Sequence, residues 1–108
     1  MNIFETELKN GNFVVGECPN CNLVIWPPSD FCNKCFEPVK WRNSQTNGKL
    51  IEFSIKEGMH FCLAEFEGTI RIMGMLKPGK KEPIVGQKVK LDSCSMNDGN
   101  YNFEMSLV

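Results

Sequence analysis

From Lys49 onward the chain alternates. Ile51, Phe53 and Ile55 are interleaved with Glu52, Ser54 and Lys56, the period of two expected of a half-buried strand. His60 to Phe66, Thr69 to Leu76, Gln87 to Asp92 and Tyr101 to Met105 repeat the signal. Turn residues stand between these runs: Glu57-Gly58, Glu67-Gly68, Pro78-Gly79 and Asn97-Asp98-Gly99-Asn100. The pattern predicts five short antiparallel strands, and closing them into a small barrel of the OB-fold type removes the edges an open sheet would expose. Pro78, Gly79 and Pro83 argue against the helix that often separates the third and fourth strands of such barrels.

Ahead of Lys49 the pattern is different. Asn2 and Glu5 have the spacing of a capping box, Phe4 and Leu8 share one helical face, and Gly11 is a natural stop. A helix this short needs something to rest on. Phe13-Val14-Val15 reads as extended chain, and Leu23 to Trp26 as a strand that Pro27-Pro28 ends. Arg42 to Gly48 is polar and closes on glycine, which suggests a linker. The expected organisation is therefore an N-terminal helix over residues 1–11, a compact segment with its linker over 12–47, and the barrel over 48–108.

The middle segment carries the chemistry. Cys18-Pro19-Asn20-Cys21 and Cys32-Asn33-Lys34-Cys35 are two C-x-x-C pairs. Each such turn folds two thiolates toward one point, and two of them make the tetrahedral sulfur cage that Zn²⁺ favours. Iron, a redox dithiol and disulfides are the competing readings of the same cysteines. Four thiolates leave no open coordination position, so a catalytic metal is not expected. With 12 basic against 13 acidic residues the net charge is -1, and no overall positive field attracts nucleic acid. The N-terminus lacks a basic, then long apolar, signal pattern and no run approaches membrane-spanning length, so the expectation is a cytoplasmic protein that does not engage membrane.

Across nearly its whole length the chain resembles the DUF35 family, rubredoxin-like zinc ribbons joined to an OB-fold and associated with thiolases. The resemblance rests on the helix Ile3 to Leu8, both C-x-x-C pairs, Trp26-Pro27-Pro28, Trp41, Gly48 to Ser54, Gly74-Met75-Leu76 and Ile84 to Val89. Asn22 and Ser29 depart from the family's glycine and arginine at those places; asparagine tolerates the left-handed backbone that glycine would supply. The resemblance implies a mainly β fold, structural zinc on Cys18, Cys21, Cys32 and Cys35, and a noncatalytic scaffold that binds a thiolase-like acyl-CoA enzyme. It also implies a bridge between acetoacetyl-CoA thiolase and hydroxymethylglutaryl-CoA synthase, with coenzyme A as a possible ligand. A single-stranded nucleic-acid-binding module is the alternative, since ribbons and OB-folds recur in that role.

The remaining candidates have plainer readings. Cys62 and Cys94 are expected as buried core thiols, and His60 shares a strand face with Cys62 without a third group to orient the pair. Trp26, Phe31, Phe36 and Trp41 surround the cysteine turns and are expected to shield them, with Trp26 as the best surface candidate. Lys77 to Lys81 is a basic loop, expected to be solvated.

Overall fold

The computed structural model of the protein describes residues 3–77 and 82–108. The Asn2 cap and the Pro78 to Lys81 part of the basic loop lie outside them. Helix α1 spans Ile3–Lys9, with Phe4 and Leu8 fully buried. It ends where Gly11 adopts φ 83° and donates its N–H to the Leu8 carbonyl at 3.0 Å, the left-handed cap that glycine supplies without strain. Among the described residues no helix is long and apolar enough to cross a membrane.

Strands β1 (Val14–Cys18), β2 (Leu23–Ile25) and β3 (Lys40–Asn43) form a sheet in the order β2-β1-β3. β1 is central, so Val14, Val15 and Gly16 are all buried. β3 takes in Arg42 and Asn43, and the next strand begins at Asn47. The polar stretch expected to be a linker over Arg42 to Gly48 is thus reduced to Ser44, Gln45 and Thr46. The reason is pairing: Asn43 and Arg42 face Val14 and Val15 across the ladder, and backbone hydrogen bonds there outweigh the polar composition.

Strands β4 (Asn47–Lys56), β5 (Met59–Phe66), β6 (Ile70–Leu76), β7 (Lys88–Asn97) and β8 (Asn100–Leu107) close a barrel in the order β4-β5-β6-β8-β7. This is the expected five-stranded OB-type ring, with the correction that β6 and β8 pair parallel where only antiparallel strands were expected, because the closing strands run in the same direction. Glu57-Gly58 and Asp98-Gly99 are two-residue hairpin turns with both φ values positive, the backbone that matches strand twist. The expected alternation in β4 fails in one respect. A register shift between Leu50 and Glu52 turns Leu50 inward, while Phe53 and Ile55 remain 40% and 61% exposed.

Closure depends on Gly74. β6 and β8 run parallel at Met75 and Leu76, opposite Glu104 and Met105, and a Cβ built on Gly74 would lie 2.6 Å from the Phe103 backbone oxygen. Backbone cannot yield as a side chain can, so Gly74→Ala is expected to destabilise by about 3 kcal/mol, the upper range for overpacking. Urea unfolding monitored by circular dichroism measures it; an unchanged midpoint would remove Gly74 from the closure argument.

One core joins all three parts. Phe13, just before β1, packs edge to face against Phe4 of α1, Trp26 after β2, and Phe66 and Phe103 of the barrel. Such aromatic pairs add about 0.5–1.5 kcal/mol each beyond the area they bury.

Candidate metal centre

Each C-x-x-C turn is built the same way. At the first, the Asn22 N–H donates to the Cys18 carbonyl at 2.9 Å and the Cys21 N–H points at Cys18 Sγ at 3.3 Å. At the second, the Phe36 N–H donates to the Cys32 carbonyl at 3.0 Å and the Lys34 N–H points at Cys32 Sγ at 3.4 Å. The residue after each pair has a left-handed backbone, φ 56° at Asn22 and 63° at Phe36. For Asn22 this is mild; for an aromatic residue it costs roughly 1–2 kcal/mol.

The two turns face each other. The four sulfurs lie within 4.8 Å of one another, with Cys18 and Cys35 Sγ 3.5 Å apart. Tetrahedral coordination with Zn–S of about 2.3 Å places sulfurs about 3.8 Å apart, so the donor set fits such an ion. Thiols this close compete for charge. The N–H groups of Cys35 and Lys34 lower the Cys32 thiol to about 6, whereas the neighbouring thiol of Cys35, with lesser help from burial, raises Cys21 to about 12. A divalent cation removes that competition by holding all four as thiolates.

The aromatic surroundings divide differently from expectation. Trp26, the expected surface residue, is half-buried, with Phe4 at 5.6 Å and Phe13 at 6.4 Å. Trp41 is half-buried as well. Phe31 and Phe36, expected to shield the sulfurs, are 55% and 76% exposed. The positive φ swings Phe36 outward, which residue composition does not reveal.

Sequence reasoning also missed the joint between ribbon and barrel. Arg42 of β3 reaches Glu67 in the β5–β6 turn with two hydrogen bonds, Nη2 to Oε1 at 2.7 Å and Nη1 to Oε2 at 3.1 Å, and touches Glu17 at 3.4 Å. The Gln45 N–H donates to Glu67 at 2.6 Å and Ser44 Oγ lies 3.3 Å from it. Arg42 fell in the presumed linker and Glu67 in a turn, so nothing in their spacing paired them.

Cys62 is buried, and its Sγ lies 3.7 Å from Met105 Sδ. Burial pushes both the Cys62 and Cys94 thiols up, which suits inert core thiols. His60 stands opposite Ile55, two residues along from Cys62, as the alternation placed it. Beside the barrel closure lies a cleft of about 450 Å³ with both apolar and polar lining, Phe61, Met73 and Tyr101 on one hand and Asn97, Asn102 and Glu104 on the other.

Residues 6–40 match the ChsH2 rubredoxin-like zinc ribbon domain. The whole chain is similar in structure to an Ltp2-ChsH2(DUF35) aldolase, with a TM-score of 0.76 and 15% identity, covering 99% of this chain and 96% of that one. It is also similar to a DUF35 protein of unknown function from Sulfolobus solfataricus, with a TM-score of 0.66 and 17% identity, covering 97% of this chain and 82% of that one. No curated protein matches. This similarity corrects the expectation that the chain is noncatalytic: the structure it resembles, at 15% identity, is itself named as an aldolase.

Proposed function

We propose that the chain is a DUF35-type component of an enzyme assembly, seated on a thiolase-like partner that acts on acyl-CoA substrates; the zinc ribbon match over residues 6–40 and the fold shared with two DUF35 structures support the reading. Zinc holds the ribbon in shape through Cys18, Cys21, Cys32 and Cys35, and the ribbon tip presents Phe31 and Phe36 to the partner. The observation that carries the reading is Phe36, an aromatic residue in a left-handed backbone with 76% of its surface exposed. Strain of this kind persists where function demands it, and large aromatics are the usual anchors of interfaces. The fold shared with an aldolase assembly supports the choice of partner class.

Affinity capture with the tagged protein from its own cells tests the reading. A thiolase-like enzyme is expected, and a bridging role would return a hydroxymethylglutaryl-CoA synthase in the same complex. Recovery of ribosomal or replication proteins in its place would sink the proposal. Phe36→Asn sharpens the test, because asparagine accepts the backbone that phenylalanine resists. It is expected to stabilise the chain by about 1 kcal/mol while reducing partner recovery. A variant that is more stable and binds equally well would remove Phe36 from the interface.

A further inference from the structure

Beyond Leu50 the outer edge of β4 has no ladder partner among the described residues. β7 pairs only with Asn47 to Lys49. At Leu50 the preceding loop closes the edge, the Leu50 N–H donating to the Gln87 carbonyl at 2.8 Å and the Gly86 N–H to the Leu50 carbonyl at 2.7 Å. From Glu52 to Lys56 only β5 is paired, and β6 joins β5 no earlier than Phe61. The β4–β5 hairpin therefore projects past the ring. This is why Phe53 and Ile55 stay exposed although Phe53 stands opposite buried Cys62. An open apolar strand edge is a template for another strand, and no proline interrupts residues 52–56.

The segment Glu52-Phe53-Ser54-Ile55-Lys56 is complementary to itself read in reverse. If two copies pair antiparallel about Ser54, each Glu52 faces the other copy's Lys56, each Phe53 faces Ile55, and Ser54 faces Ser54. Strand alternation then puts both ion pairs on one face and both apolar pairs on the other. Moving the centre to Ile55 would set Glu57 against Phe53. Moving it to Phe53 would require Leu50, whose edge is closed. We propose that this edge joins two copies of the chain through an antiparallel β4–β4 pair with a two-fold axis at Ser54. The contact is isologous, so it closes at two copies. The strands contribute only a short ladder, which places the pair among weak, concentration-dependent associations.

Sedimentation velocity from micromolar to millimolar concentration is the first measurement, and a monomer that gives way to a dimer is expected. Glu52→Lys and Lys56→Glu each set like charges opposite one another, and each should weaken self-association by roughly tenfold. Mixed in equal amounts at low salt, the two variants carry opposite charge at positions 52 and 56, so the mixed dimer should form in preference to either self-pair. All these residues are exposed, so the fold is expected to tolerate the changes. Opposed residues of an antiparallel pair lie about 4.5–5.5 Å apart, within the span of a disulfide. Ser54→Cys should thus give a reducible covalent dimer that the unaltered chain does not. A monomer at every concentration overturns the proposal, as does a dimer indifferent to the charge variants. Protection of this edge only when a different protein is bound would overturn it too.

Discussion

Replacing Cys18 or Cys35 with serine should strip the metal and unfold the ribbon while leaving the barrel standing. The local apolar core is too small to hold the ribbon by itself, because its buried cluster consists of Cys18, Ile25 and Cys32, two of them members of the proposed sulfur cage. Burial of a large aliphatic side chain contributes roughly 1.5–3 kcal/mol, against roughly 1–2 kcal/mol of backbone entropy for every residue ordered. The metal must supply the difference, and zinc in small sulfur cages supplies on the order of 10 kcal/mol. Hydrogen exchange before and after a strong chelator reads the outcome by segment. Amides of residues 18–40 should lose protection, those of β5 to β8 should keep it, and β1 should fall between because Val14 and Val15 sit in the main core. Protected ribbon amides in a metal-free serine variant would show that the cage is not what holds the ribbon.

Much of this architecture was legible because its causes are local. Two C-x-x-C turns announce a cage through spacing alone, and period-two runs divided by Gly-containing turns announce hairpins. Phe4 and Leu8 were placed correctly on a buried face because helix spacing leaves no other arrangement. What escaped notice depended on register and backbone angle. The shift at Leu50 brings Leu50 to the core in place of Ile51, and no composition at Ile51 marks it. Phe36 turns outward because the second cysteine turn demands a left-handed residue there, and aromatic character alone argued for the opposite. The salt bridge from Arg42 to Glu67 spans a turn and a strand that only the folded barrel brings together. Each of these is a tertiary effect with no sequence period.

That salt bridge carries the second large effect. The Glu67 side chain is only 5% exposed, so Arg42→Ala would leave a buried carboxylate with the Gln45 N–H as its main remaining donor. With the Arg42 side chain 38% exposed, the loss expected in urea unfolding at neutral pH is about 1.5–3 kcal/mol, the range for hydrogen bonds to charged groups and below that of a fully buried pair. Glu67→Gln removes the charge without leaving an unpaired ion, so its cost should be smaller. The pH dependence has a definite sign. Hydrogen bonds from Arg42, followed by those from Gln45 and Ser44 and the Arg42 charge, hold the Glu67 carboxyl below the usual carboxylate range despite burial. A group depressed in the folded state contributes fully above its unfolded value of about 4.3 and loses that contribution as pH falls through the folded value. The stability gap between the natural chain and Glu67→Gln should therefore be widest near neutrality and narrow as pH falls below the unfolded carboxylate value of about 4.3. A gap that stays constant with pH would mean that the Arg42 charge is not what secures Glu67. Because Arg42 belongs to the ribbon sheet and Glu67 to the barrel, the same variants should let the Phe31 and Phe36 tip swing relative to β4, and partner capture should fall before the barrel itself unfolds.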